Sequence, residues 1–333
     1  MYLSSVNTST VIRLTGVDSS KFLQGQLTCD VARLETGQWT WAAACSPKGR
    51  VIDVFKLYKQ QTEDFLLLCW SEDASQRLLT HLAKYKVFFK CELRIEPELE
   101  CVGTLSRHAD IRAELDLYPG WAILGSHNQV LQDVKQASRR RLSQSLPEHK
   151  LYWSELIVSS GTVDGANKDN RGHATLGALR SRFASTKDDD YLWQAAMLAL
   201  GIPRLDADNS ESFTAHALGL HSLGAISFSK GCFTGQEIVA RTHYLGSAKK
   251  YPVGLAVVEE TFRSHSETGN DRLFLDGSEL DTFLTEHNAK VLECIDMPQV
   301  IADSSSKQSD PSVRSLLTPF KRICLAVLDP EKI

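Results

Sequence analysis

One stretch of the sequence concentrates residue types that do chemistry. Residues 229–250 read SKGCFTGQEIVARTHYLGSAKK, and Cys232 stands there between Gly231 and Gly235. Backbone this rich in glycine does not continue as a regular strand, so the thiol belongs to a turn. Thr234 followed by Glu237 has the spacing of a capping box, which predicts a helix starting at Gly235 and running through Ile238, Val239 and Arg241. Cys232 then lies just ahead of a helix N-terminus and two residues from Lys230. Both the helix dipole and an ammonium favour thiolate over thiol, so the implied chemistry is nucleophilic or redox work by an accessible cysteine. The plainer alternative is that the glycines only shape a turn, Glu237 only caps the helix, and Cys232 is an inert core thiol.

Charge in this stretch is basic: Lys230, Arg241, Lys249 and Lys250 outnumber Glu237 in a chain of net charge −4. Such a patch suits a polyanion, either a polyglutamate tail or RNA phosphate, and equally a solvated face. Other candidates carry less. His216 and His221, combined with Cys232, match no common zinc spacing and read as satisfied surface histidines. A Cys232–His243 hydrolase lacks an identifiable orienting partner. The sequence holds no dinucleotide-binding glycine motif after a strand, no Walker loop and no RNA-recognition signature.

The elements that must position Cys232 are short strands and a few helices. Strand-like runs occur at 11–14, 39–45, 51–58, 65–70, 87–95 and 152–158, and helical patterns at 18–27, 72–84, 129–142 and 191–200. Leu78, Leu79, Leu82 and Ala83 form the expected core stripe of the second helix, and Gly201 with Pro203 ends the last one. Residues 159–172 read as a surface loop. Strands in runs with helices between some of them predict an α+β fold. Beyond Lys250, β-rich runs at 251–258, 273–275, 291–295 and 322–327 predict a small closed or partly closed barrel. A length of 333 residues fits two domains, which we divide as 1–247 and 248–333. No apolar run is long enough to span a bilayer, and residues 1–9 lack a signal-peptide layout, so the expected location is the cytoplasm with no membrane partner. None of the eight cysteines forms a C-x-x-C pair, and buried free thiols are expected rather than disulfides. An acidic chain also argues against direct tRNA binding.

The octapeptide KGCFTGQE at 230–237 resembles the K-G-C-[YF]-x-G-Q-E signature of the YgfZ family, relatives of the glycine-cleavage T-protein (aminomethyltransferase). FLQGQLT from Phe22, SPKGR from Ser46 and GIPRLD from Gly201 agree with it. The resemblance implies a T-protein-like folate-binding body with ferredoxin-like parts, followed by a small β-barrel. It further implies tetrahydrofolate, or a one-carbon derivative, as cofactor, and iron–sulfur enzymes that modify tRNA as clients. Cys232, assisted by Lys230, becomes the working group, with folate contacts at Trp193, Asp53, Gln236, Glu237 and Arg241. Read from its residues alone, Trp193 belongs to the core of an apolar helix. Two positions depart from the family. Ser9-Thr10 replaces a folate-linked tryptophan, and in Gly49-Arg-Val-Ile-Asp-Val the second carboxylate of the T-protein pair is Val54. That loss counts against aminomethyl transfer and leaves a folate-dependent one-carbon transferase, or a pure binding module, as alternatives. Asp53 is expected to face solvent.

Overall fold

The computed structural model describes residues 2–5, 10–97, 99–106, 122–127, 152–159, 194, 197–198, 201–245, 251–258, 274–275, 279–286, 288–296 and 320–328. In chain order its elements begin with strands β1 (Tyr2–Ser5) and β2 (Thr10–Thr15), helix α1 (Ser19–Gln26), and strands β3 (Trp39–Cys45), β4 (Val51–Gln61) and β5 (Asp64–Cys69). Helix α2 (Glu72–Lys86) follows, then β6 (Glu92–Ile95), β7 (Leu99–Ser106), β8 (Ala122–His127), β9 (Tyr152–Ser159) and helix α3 (Gln236–Leu245). The last elements are β10 (Tyr251–Val258), β11 (Phe274–Leu275), helix α4 (Glu279–Glu286), β12 (Lys290–Asp296) and β13 (Phe320–Leu328).

A five-stranded antiparallel sheet, ordered β3-β4-β5-β2-β6, organises the site. Both of its faces are covered, which is why its strands read as nearly unbroken apolar runs. Helices α1 and α2 cover one face, where Phe22, Leu23, Leu78 and Leu82 meet Leu14, Phe55, Leu57 and Leu67. On the other face Trp41, Ala43, Val54 and Trp70 pack against residues of the segment 197–226 and against Leu292, Leu325 and Val327. Opposite the Ala44–Cys45 step of β3, Ile52 is the extra residue of a bulge in β4, and the alternation breaks there. Ile52 therefore joins the helix-side core, whereas Val51 and Val54 belong to the opposite one.

Local chemistry explains the helices. Ser71 caps α2 by accepting the Ala74 N–H at 3.1 Å, with Glu72 and Asp73 in the first turn and Lys84 and Lys86 in the last. Its buried stripe runs through Ala74, Leu78 and Leu82, while Ala83, expected inside, is exposed. The strand expected over 87–95 shrinks to Glu92–Ile95. Residues ahead of it form a turn, held where the Asp18 carboxylate accepts the Lys90 N–H at 2.8 Å, and Phe88 is left exposed. Gln194, Met197 and Leu198 are helical. That helix ends as expected, with Gly201 at φ +68° and Ile202 N–H donating to the Met197 carbonyl at 3.1 Å. Trp193, the expected helix at 129–142 and nearly all of the loop at 159–172 lie outside the described residues.

A second sheet runs β1-β7-β9-β8 and a third β11-β10-β13-β12. Among the described residues the third sheet is open rather than a closed barrel, with β11 parallel to β10. Helix α4, absent from the sequence reading, packs Leu280 and Phe283 on Cys324 and Ala326. The expectation of free thiols alone is corrected here. Cys294 and Cys324 face each other across β12 and β13 with Cα atoms 4.0 Å apart, and they form a disulfide. Pattern reading on single segments missed it because the pair is made by strand register, thirty residues apart in sequence. No helix among the described residues is long and apolar enough to cross a membrane.

Candidate functional site

Two separate segments, the end of α1 and the 46–50 turn, converge on the turn that carries Cys232. Lys230 is buried, and its ammonium donates to the carbonyls of Gln24, Leu27 and Cys29 at 2.7, 2.7 and 2.8 Å. These include carbonyls that the end of α1 leaves without intrahelical partners, so the lysine closes the helix C-terminus. Burial lowers the Lys230 ammonium to about 8, with Cys29 and Asp30 opposing that shift. Thr234 N–H donates to the Gly25 carbonyl at 3.0 Å and its hydroxyl to Gln26 Oε1 at 3.0 Å. Upstream, Thr28 donates to the Ala225 carbonyl and accepts the Ala43 N–H, at 2.6 and 3.0 Å.

The second anchor is the 46–50 turn. Gly235 has φ +84°, and a Cβ there would lie 2.6 Å from the Ser46 carbonyl oxygen and 3.1 Å from Gly49 Cα. Gly49 has φ +68°, and its own Cβ would lie 2.5 Å from that of Ile238. Two glycines thus let the turns approach backbone to backbone. Between these anchors Gly231 and Cys232 are exposed, with nothing within 4 Å of a Cβ placed on Gly231. The expected capping box does not form. Thr234 is turned to Gln26, Gln236 Oε1 accepts the Phe233 N–H at 3.3 Å instead, and α3 starts at Gln236. Glu237 and Arg241 are exposed on α3. Lys230 is therefore a brace facing inward and is removed from the basic surface patch.

Asp53 corrects the expectation of solvent exposure: it is fully buried on β4. Its Oδ1 accepts the Val54 N–H at 2.8 Å, and Oδ2 lies 3.5 Å from Arg77 Nη2. Burial pushes its carboxyl up to about 7, against the opposing effects of the Val54 N–H and Arg77. Arg77 also donates to the Leu205 carbonyl at 2.7 Å and so ties α2 to the GIPRLD segment. It lines a cavity of about 330 Å³ together with Trp70, Gln194, Arg204, Asp206 and Glu293. Arg204 forms a bidentate ion pair with Glu293 of β12, and its guanidinium lies 5.8 Å from the Trp70 ring. Behind Trp70 the indoles of Trp41 and Trp70 stack at 5.9 Å, and Trp39 meets Trp41 edge-on. The buried Lys56 ammonium sits 5.8, 4.6 and 5.1 Å from the Trp39, Trp41 and Trp70 rings.

The histidines expected at the surface form a stack. His216 is buried against His221, Phe228 and His243, and among the described residues neither of its ring nitrogens has a hydrogen-bond partner. Burial, reinforced by His221 and His243, lowers His216 to about 4. Among the described residues no group of three histidine, cysteine or acidic side chains is arranged for a metal. His243 stacks on Phe228 at 3.6 Å.

The structure brings the Cys232 turn together with the FLQGQL and SPKGR blocks, and the Asp53–Arg77 pair together with GIPRLD. Gln236, Glu237 and Arg241 do not line the 330 Å³ cavity, and Asp53 reaches it only through Arg77. Gln194, the sequence neighbour of Trp193, does line it. Sequence reasoning missed Trp70, Arg77, Arg204 and Asp206. The available signals were the GIPRLD block itself and a lone arginine beside the apolar stripe of α2.

No protein-family model matches the chain. Among solved structures it is similar to the glycine cleavage system aminomethyltransferase T from Bartonella henselae, with 13% identity and a TM-score of 0.53. That alignment covers 98% of this chain and 78% of the other. At this identity the likeness is one of architecture, and the chain has a T-protein-like fold.

Proposed function

We propose that this chain is a cytoplasmic folate-binding accessory protein of the YgfZ kind, in which Cys232 does redox or iron–sulfur-related work that supports tRNA-modifying enzymes. The observation that carries the reading is the Cys232 turn. Two distant segments hold it through a buried ammonium and two left-handed glycines, yet the thiol they frame is exposed. A turn built only for packing has no need to leave its cysteine outside. The KGCFTGQE motif supports the link to iron–sulfur and tRNA-modifying clients.

Folate enters through the T-protein-like fold and through the cavity. A space of about 330 Å³ is within the range of small-molecule sites. Trp70 offers a flat wall for a pterin ring. Asp206 and Gln194 offer acceptors for its N–H groups, and Trp193 is retained as a second aromatic contact. Asp53, committed to Arg77 inside the sheet, gives little support to an aminomethyl transferase. We retain 1–247 as the folate-binding body and 248–333 as a C-terminal unit built on the β11-β10-β13-β12 sheet.

Calorimetry with tetrahydrofolate tests the ligand. Trp70→Phe and Asp206→Asn are each expected to weaken binding about tenfold or more. Absence of heat with the unmodified chain removes folate from the account. Cys232→Ser is expected to bind folate normally and to fail to restore iron–sulfur-dependent tRNA modification in a deletion strain. Full restoration by Cys232→Ser replaces this reading with a pure binding module.

A further inference from the structure

We infer that the Cys294–Cys324 disulfide is a reversible redox latch on the cavity wall, so that ligand affinity at the cavity follows thiol–disulfide state. The inference rests on the folate reading only for the identity of the ligand.

Strand β12 supplies two of the cavity-lining residues, Leu292 and Glu293. Both lie where its ladder with β13 is irregular. Val291 is paired with Ala326, the register shifts, and pairing resumes at Glu293 with Leu325 and at Cys294 with Cys324. An irregularity leaves a residue without ladder partners and weakens the local pairing. The disulfide is the next pair after Glu293, so a covalent bond holds register at the point where backbone hydrogen bonds hold it least. What it steadies is specific: Glu293 pairs with Arg204, and Arg204 lies over Trp70. Leu292 is buried in the core shared with Trp70, Leu205, Leu325 and Val327.

The two sulfurs are unequal in access. Cys324 is buried beneath α4, whereas Cys294 is exposed. A dithiol reductant attacks the Cys294 sulfur and forms a mixed disulfide, and Cys324 leaves as a thiolate that takes up a proton. The reductant's second thiolate then displaces Cys294 as a thiolate, which is protonated in turn. The balance is two electrons and two protons gained by the protein and one disulfide formed in the reductant. Loss of the bond frees Leu292 and Glu293 to leave the cavity wall.

The test compares the full chain in its oxidised form, after dithiothreitol, and as Cys294→Ser/Cys324→Ser. Tetrahydrofolate affinity is read by calorimetry, and amide hydrogen exchange over 290–296 is read without ligand. Reduction is expected to weaken binding about fivefold and to speed exchange at Leu292 and Glu293. The double variant should match the reduced form and ignore dithiothreitol, which separates the effect from Cys232. Equal exchange in the two redox states overturns the latch, and faster exchange with unchanged affinity overturns its coupling to the cavity. If tetrahydrofolate binds neither form, the folate reading fails, while the exchange comparison still decides whether reduction loosens the wall. Should the double variant not fold, the oxidised and reduced wild-type comparison stands alone.

Discussion

The Cys232 turn and the Asp53–Arg77 pair are opposite solutions to holding a reactive side chain. At the turn, the surrounding polar groups are turned inward and the thiol is left outside. At Asp53, the reactive group is itself enclosed and its charge is opposed by burial. A chemically competent residue type is therefore not yet a site. The carboxylate acts as a strut that holds Arg77 between α2 and the cavity, and the cysteine is what the surrounding architecture presents.

The contrast breaks most readily at Gly235. A Cβ at φ +84° and 2.6 Å from the Ser46 carbonyl leaves no room, so Gly235→Ala is expected to cost about 3 kcal/mol or more in urea unfolding. Gly231→Ala, in open space, should be silent. A large loss at Gly231 instead would mean that the turn is packed rather than presented.

Lys230→Met comes next. It removes the cation from three carbonyls while keeping the length of the side chain, and about 2 kcal/mol should be lost. An unchanged melting temperature would remove the brace from the description.

Asp53 separates from the turn in its response to pH. Its carboxyl is raised to about 7, so the folded chain keeps a proton that the unfolded chain, with an ordinary carboxyl near 4, has already released. The stabilising contribution is complete below about 4 and is lost as pH rises through 7. Wild type should therefore lose more stability between pH 5 and 8 than Asp53→Asn, as read by melting temperature at each pH. Parallel pH profiles would show that Asp53 does not titrate in that window.

The smallest perturbation is chemical labelling. Cys29 and Cys45 are pushed up to about 12 by burial, burial also raises Cys69 well above the usual thiol value, and Cys91 is half-buried. One equivalent of iodoacetamide should modify Cys232 first, by peptide mapping, with little change in stability. First modification at Cys91 would contradict the presented-thiol description.

Much of this was legible in the sequence. Strand β3 runs over the expected residues, β4 and β10 start where expected, and the Gly201 helix end is where residue chemistry places it. The KGCFTGQE turn was also recognisable, because glycines and a lone cysteine are local signals. What the sequence did not reveal depended on partners far along the chain. Lys230 reads as a helper of Cys232 until the carbonyls of α1, some two hundred residues earlier, are brought beside it. Asp53 reads as a surface carboxylate until the bulge at Ile52 and the arrival of Arg77 are known. The Cys294–Cys324 pair depends on register between strands joined by a long connection, which no local pattern encodes.

The indole triad around Lys56 has a consequence in optics. Trp41 and Trp70 are close enough for their near-ultraviolet transitions to couple, and Trp39 meets the pair edge-on. A fixed positive charge bears on all three rings, and Trp70 forms both part of this group and part of the cavity wall. The chain thus carries an intrinsic chromophore cluster whose near-ultraviolet circular dichroism reads out the cavity wall directly, with no label attached.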